Sequence, residues 1–463
     1  MSDTSSAPVG VNKLYFAAWR WHFFAGLYVI PFLLMLAVTG FFMMLFTTYL
    51  PEAGDRISIA AGTEPMLPSA LAAAAIAAVP GGTGVESYIA PYSATNPALL
   101  TVTGADASII VAINPYTGEV LRQTVDGGTW YAWLEKIHGS LLIGDTGDRM
   151  IEIAAGLGLV MVLTGLYMWW PRDAGGLRAV LVPNFAAKGR AWWKSLHMSV
   201  GFWISIILTF FLITGMAWAG IWGGKWVQAW STFPAEKWDS VPLSDATHAS
   251  MNHSKKEVPW ALEQTKMPES GSFAGQDVLP MGSKIDLDSM VVLGRMIGFD
   301  GRFNVVLPAD EAGVYTLSQD SMSYDSTNPM GDRTVHVDQF TGRVLADVRY
   351  ADYSTAGKAM AVGIALHEGQ TGLWNFLVNL VFLTSIVFLC LSGIVLWWKR
   401  RPANAGRLAA PPRAQEMPLW KGAAVMAIAL SMLFPLLGAT LVVVLIVDVL
   451  VLQNLPSLKR ALS

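Results

Sequence analysis

Cysteine is all but missing: Cys390, inside an apolar run, is the only one among 463 residues. A single thiol excludes an intramolecular disulfide, and it excludes a cysteine-held metal or iron–sulfur site within one chain. Charge is scarce too. Charged residues make up 14% of the chain, where a soluble domain carries about 25%. The net charge of −3 leaves no basic footprint for nucleic acid. No P-loop, H-E-x-x-H or G-x-S-x-G motif occurs, and no G-x-G-x-x-G opens a helix. What is abundant is apolar: 53% hydrophobic residues, with 19 Trp and 21 Met. Such a chain is neither disordered nor an ordinary cytosolic protein.

Four runs meet the requirement of about 20 apolar residues per membrane crossing: 23–49, 149–170, 196–222 and 369–398. The first is too long for the core of a signal peptide and reads as a retained anchor. A fifth run, 422–453, contains Pro435 and ends near Asp448. It reads as one long or kinked helix, with a tight hairpin as the alternative. The short connections 171–195 and 399–421 carry five and six Lys and Arg against one acid each, Asp173 and Glu416. By the positive-inside rule these loops and residues 1–22 are cytoplasmic. The long connections, 50–148 and 223–368, are then extracytoplasmic and net acidic, and 454–463 form a C-terminal tail. Trp169–Trp170 and Trp397–Trp398 mark the cytoplasmic interface.

The chain repeats itself. His22, Gly26, Thr39 and Gly40 recur as His197, Gly201, Thr214 and Gly215, each at an offset of 175. Thr117-Gly118-Glu119-Val120-Leu121 recurs as Thr341-Gly342-Arg343-Val344-Leu345, at 224. His138 matches His367 at 229, and Thr164-Gly165 with Trp169-Trp170 matches Ser392-Gly393 with Trp397-Trp398 at 228. Offsets that are constant within an element and change only between elements mark a duplicated unit with loop insertions. The unit is helix, extracytoplasmic insert, helix. The two copies run parallel, about a pseudo-two-fold axis along the membrane normal.

Each insert reads as a helix followed by short β-type runs. In the first, the helix is 68–79, the runs are 84–91, 98–103 and 108–114, and the turn is Asn114–Gly118. In the second, the helix is 286–296, the runs are 303–307, 313–318 and 334–338, and the turn is 339–342. The Pro-, Ser- and Lys-rich stretch 233–282 reads as loop. The closing D/N-x-x-T-G-x-V-L pattern, laced between helices bearing Trp21-His22…Thr39-Gly40 and Thr164-Gly165…Trp169-Trp170, resembles the PepSY-associated transmembrane family. The resemblance spans about 15–450. It implies a membrane helical bundle of four core helices, arranged as two parallel helix–domain–helix repeats plus a C-terminal helix. Two small α+β PepSY-like extracytoplasmic domains complete it. The family's iron-regulated bacterial inner-membrane proteins include ferric-siderophore reductases that carry haem on histidines of the membrane helices.

Four of the seven histidines form duplicated pairs. His22 and His197 start helices on the cytoplasmic side; His138 and His367 precede helices on the other. Two imidazoles facing each other across a pseudo-two-fold axis supply both axial ligands of one haem, and a helical bundle supplies the apolar slot. Full axial occupancy favours electron transfer over ligand chemistry at iron. Together with the resemblance, this makes His22, His197, His138 and His367 candidate ligands of two haems b. A bare metal ion is the alternative, but it wants further ligands, and Glu368 beside His367 has only Gly139 as its counterpart. Arg20, Arg190 and Lys194 are candidate partners for propionates of the inner haem; Lys136, Arg149 and Lys358 for those of the outer one. As interfacial cations they also read as solvated or snorkelling. The glycines read as packing positions or as room for a planar cofactor. His248 and His253 form an H-x₄-H pair in a polar loop, with metal binding as the less favoured role. His336 reads as a surface strand residue.

The expectation is a dihaem oxidoreductase of the bacterial inner membrane, N-terminus inside, with membrane lipid around it and no nucleic-acid partner. Its cytoplasmic loops are too short for a flavin or nicotinamide domain, so a separate reductase or quinol donates the electrons. The resemblance implies a periplasmic ferric chelate as acceptor. No catalytic side chain is assigned. Two rival readings stand beside this one: a PepSY-mediated periplasmic partner- or protease-binding regulatory protein, and a metal or siderophore transporter. Scarce intramembrane acids, Glu152 and Asp448 near the ends of their runs, weigh against a proton-coupled transporter.

Overall fold

A computed structural model of the chain describes residues 13–171, 176–228, 240–252, 258–280, 282–401, 408–411, 421–447, 450 and 454–455. His253 and Asp448 lie outside the described residues, as do parts of the short basic loops. The chain folds as α1 (Lys13–Thr48), α2 (Pro68–Ala78), β1 (Gly84–Ile89), β2 (Ala98–Thr103), β3 (Ser108–Ile113) and β4 (Val120–Val125). Then come α3 (Trp130–Ser140), α4 (Asp145–Trp169), α5 (Arg178–Leu181), α6 (Gly189–Met216), β5 (Leu243–Thr247) and β6 (Lys266–Pro268). The second insert continues with α7 (Leu287–Met296), β7 (Asn304–Val306), β8 (Val314–Gln319), β9 (Arg333–Asp338), β10 (Val344–Arg349) and α8 (Thr355–Glu368). The chain closes with α9 (Leu373–Arg400), α10 (Lys421–Leu433) and α11 (Pro435–Val447). It divides into two compact units, one of residues 1–38, 139–223 and 380–463, the other of 39–138 and 224–379.

Four helices are long and apolar enough to cross a membrane: α1, α4, α6 and α9. They match the four runs expected, and the chain is a multi-pass membrane protein. In the helical unit α1, α6 and α9 share a core of Ala37, Ile204, Phe382, Ile386 and Cys390. Helix α4 packs through small residues. A Cβ on Gly158 would meet Leu212 of α6 at 3.1 Å, and one on Gly156 would meet Leu437 of α11 at 3.0 Å. The first turns of α4 explain the intramembrane acid. Glu152 is 4% exposed and accepts the backbone N–H of Ile221 (3.2 Å) and Trp222 (3.1 Å). Asp148 accepts that of Gly220 (3.0 Å). These carboxylates satisfy backbone donors of the turn that follows α6, which would otherwise be left bare in an apolar setting.

The fifth apolar run differs from the single helix expected. It breaks at Phe434 into two 13-residue helices, α10 and α11. A Cβ on Gly438 would stand 2.7 Å from that of Ser431. In a continuous helix residues seven apart are about 10 Å apart along the axis, so the chain reverses sharply here. Each arm is only about 20 Å long, short of a bilayer core. A proline inside a helix need not end it: α1 runs on through Pro31. Pro435 instead opens a new helix, at the first position, where its missing N–H costs no intrahelical bond.

The two inserts differ from the expected pair of small domains in one respect: they share a single sheet. Its order is β10-β9-β8-β7-β1-β2-β3-β4, antiparallel at each pairing. The inserts join where β1 meets β7, Tyr88 facing Val305. Helices α2 and α7 pack on this sheet, and Leu71, Leu100, Met290 and Phe303 lie in one continuous core. The Ser69 amide and hydroxyl both donate to Asp288, at 2.7 and 2.6 Å, tying α2 to α7. Matching turns close both inserts. Gly118 (φ +72°) and Gly342 (φ +69°) take the left-handed conformation, and each amide returns to the turn's first carbonyl, at 2.9 Å. The stretch read as loop carries a further two-stranded sheet, β5 with β6.

One core implies joint unfolding. Leu100 is fully buried, so Leu100→Ala is expected to cost about 2–5 kcal/mol and to lower the stability of both inserts in one transition. Denaturant titration, read by probes placed in each insert, checks this; two separate transitions would contradict it.

Candidate functional site

In the helical unit His22 sits on α1 and His197 on α6. The His22 Nδ1 lies 3.1 Å from the Met161 carbonyl and 3.1 Å from the Thr164 hydroxyl, both on α4. A carbonyl only accepts, so Nδ1 carries the proton. Thr164 agrees, because its own proton goes to the Val160 carbonyl at 2.7 Å. The His197 Nδ1 lies 2.7 Å from the Ser392 hydroxyl on α9, and that hydroxyl donates to the Leu389 carbonyl at 3.1 Å. It too must accept from Nδ1. As neutral imidazoles both rings are therefore Nδ1–H tautomers with the lone pair on Nε2.

The other unit repeats the arrangement for His138, whose Nδ1 is 2.8 Å from the Thr39 hydroxyl of α1. Burial pushes the His138 imidazole down to about 4. Burial and then the nearby His138 push His367 down to about 3. Both are neutral at pH 7 and close together. His367 stands at the end of α8, and α9 holds that end. The Asn379 side-chain amide donates to the carbonyls of Leu366 (2.9 Å) and His367 (3.0 Å). Asn375 donates to Leu366 at 2.9 Å. Helix α8 then ends on Gly369, left-handed at φ +79°. Next to His367, Glu368 accepts from Tyr324 (3.2 Å) and Gln370 (2.5 Å), and burial pushes its carboxyl up to about 8.

Sequence reasoning picks out the histidines and misses their supports. The Thr-Gly and Ser-Gly repeats, legible only as packing positions or cofactor room, frame the rings themselves. A Cβ on Gly165 would meet His22 Cε1 at 3.2 Å, one on Gly40 would meet His138 Cε1 at 3.5 Å, and one on Gly393 would meet His197 Cε1 at 3.7 Å. The signal is present in the constant offsets. Asn375 and Asn379, polar and four residues apart in an apolar run, are a signal too.

The candidate cations disperse. Arg20 donates to the Pro411 carbonyl and lies over Phe24. Arg190 and Lys194 lie on α6, Arg190 near Arg400. Lys136 lies on α3 and Lys358 on α8. Arg149, a candidate for the outer pair, has a local acidic partner. It belongs to the helical unit, paired with Asp148 beside Gly220, because the first turn of α4 places its own acid next to it. Arg400 is absent from the sequence candidates; its guanidinium lies over Trp19 (5.0 Å) and Phe23 (5.2 Å), the latter adjacent to His22.

His248 and His336 overturn the readings given to them. Neither is exposed; both are fully buried, with Nε2 atoms 2.9 Å apart. His248 donates through Nδ1 to the Thr265 carbonyl at 2.7 Å, which makes its Nε2 the acceptor and His336 Nε2–H the donor. The Thr316 hydroxyl, 3.0 Å away, serves His336 Nδ1. The strand β9 is interior, between β8 and β10, so the alternation that suggested a surface position misleads. Among the described residues, no group of three or more His, Cys, Asp or Glu is placed to hold a metal ion.

A family model described as the PepSY-associated TM region matches residues 19–400. No curated protein matches the chain.

Proposed function

The chain belongs to the PepSY-associated transmembrane family, and from that premise we propose that it is a dihaem electron-transfer protein of the bacterial inner membrane. It would carry electrons from the cytoplasmic side to a periplasmic acceptor, a ferric chelate such as a siderophore. The carrying observation is at the histidines: they fall in duplicated pairs, the Nδ1 of His22, His197 and His138 each meets a hydroxyl oxygen, and in His22 and His197 that nitrogen is the donor, which leaves Nε2 to bind. Ligating histidines are held this way. The donor set fits haem better than a bare ion, because no third His, Cys, Asp or Glu among the described residues joins either pair and haem would need only two protein ligands. Haem, when bound, supplies one-electron redox chemistry at iron.

The chain's own residues hold and orient. His22 and His197 would bind the haem nearest the donor, and His138 and His367 the one nearest the acceptor. Asn375 and Asn379 fix the end of α8 and so the origin of the His367 side chain. Arg20, Arg190, Lys194 and Arg400 would supply positive charge for the propionates of the haem held by His22 and His197, and Lys136 and Lys358 for those of the other. The two-copy organisation is supported by the sheet order, in which each insert contributes one half, and by Trp169 and Trp397. Each donates its indole N–H to the carbonyl eleven residues on, at 3.1 and 2.8 Å. Transport is the weaker reading, since Glu152 is engaged by backbone N–H groups.

The test is a dithionite-reduced-minus-oxidised spectrum of the purified protein, with pyridine haemochrome quantification. Two haems b per chain, low-spin and six-coordinate, are expected. Folded protein without haem, made with ample haem supply, would exclude the reading.

A further inference from the structure

We propose that the dipeptides Thr164–Gly165, Ser392–Gly393 and Thr39–Gly40 are positioning elements for the haem ligands. In each, the hydroxyl selects the ligand tautomer and strengthens the imidazole as an electron donor, while the glycine admits the ring. The inference rests on the haem reading above. Three separate places in the chain carry the same device. In each a hydroxyl lies 2.7–3.1 Å from a histidine Nδ1, and in each the next residue is a glycine whose missing side chain would face that ring's Cε1.

The hydroxyls of Thr164 and Ser392 spend their own protons on helix carbonyls. They are thereby held as acceptors, and the ring has no choice of tautomer. An Nδ1–H shared with such an acceptor makes the imidazole more basic at Nε2. A more basic axial ligand stabilises ferric over ferrous iron and lowers the reduction potential. The hydroxyls are thus expected to set potentials as well as geometry. His22 also has the Met161 carbonyl, so Thr164 has a smaller share in its state than Ser392 has in that of His197. The glycines are graded as well. Alanine would be tight at Gly165, at 3.2 Å, and in ordinary contact at Gly40 and Gly393.

Full-length protein in detergent is titrated spectroelectrochemically, with haem counted by pyridine haemochrome and the ferric state read by electron paramagnetic resonance. Ser392→Ala is expected to raise the potential of one haem and move its ferric signal, leaving the other unchanged. Thr39→Val is expected to do the same to the other haem. Thr164→Val should act on the same haem as Ser392→Ala, by less. Ser392→Thr restores the wild-type values, because threonine serves at the other two places. Should Ser392→Ala lose its haem altogether, Ser392→Cys keeps the shape with a weaker acceptor and is expected to shift the same potential in the same direction. A residue that merely packs would leave potential and ferric signal unmoved wherever haem is retained. Two haems with unchanged potentials in Ser392→Ala, Ser392→Cys and Thr39→Val would overturn the inference and leave the haem reading intact. Wild-type protein without haem would remove that reading instead.

Discussion

Replacing His138 or His367 with alanine is expected to remove one haem of two and to abolish reduction of a ferric chelate, with the second haem retained. The two histidines lie in one unit with Thr39 and Asn379, while His22 and His197 lie in the other with Thr164 and Ser392. Each pair draws these supports from its own unit, so loss at one is expected to leave the other loaded. His22→Ala and His197→Ala should give the mirror result: one haem left, still reducible by dithionite, but no longer supplied from the cytoplasmic side. Haem stoichiometry and chelate reduction by membranes decide it. Wild-type reduction in both His138→Ala and His367→Ala would sink the mechanism.

The second large effect is on stability in acid. Burial holds His248 at about 4, and burial and then His248 hold His336 well below its ordinary value. An unfolded chain binds a proton at each of these positions near pH 6.5. The folded chain does not, so this pair's contribution to stability is whole well above pH 6.5 and is lost as pH drops from 6.5 toward 4. By pH 5 the loss is about 2 kcal/mol for His248, and His336 adds to it in the same direction. The pair cannot absorb two protons in place, since each Nε2 would then point a proton at the other. Replacing both partners by apolar residues removes the polar requirement on each side together. The double variant His248→Phe, His336→Leu is therefore expected to keep most of its stability at pH 7.5 and to lose less on acidification. Urea midpoints between pH 7.5 and 5 measure it. Parallel curves for the double variant and the parent would rule out the pair as the source.

How much is legible from sequence follows from the range of each signal. The four crossing helices rest on local composition, and α2, α7 and most strands on local periodicity and turn residues; these appear where expected. Strands β4 and β10 carry no such mark, because Val120–Val125 and Val344–Arg349 mix charged and apolar residues without clean alternation. The union of the inserts rests on β1 pairing β7, which brings Tyr88 to Val305, and local pattern carries no trace of a pairing at that separation. Distance along the chain hides the His248–His336 pair as well: 88 residues separate two rings that meet between the inner strand β9 and the turn after β5. In contrast, the four candidate histidines stand out because they come with a second copy to compare. Their supports are visible as letters, Thr-Gly and Ser-Gly, but the letters do not say that a hydroxyl meets a ring nitrogen on another helix. Pro435 marks a break without revealing that the chain doubles back.

The antiparallel join of β1 to β7 is one that two identical chains could also make about a two-fold axis. In such a dimer any change would appear on both sides at once. One continuous polypeptide escapes that identity. Glu368 stands beside one histidine while Gly139 stands beside the other, and Met161 reinforces Thr164 on one ring while Ser392 serves the other. A fused chain can thus vary the two sides of each histidine pair independently, a freedom that a symmetric dimer lacks.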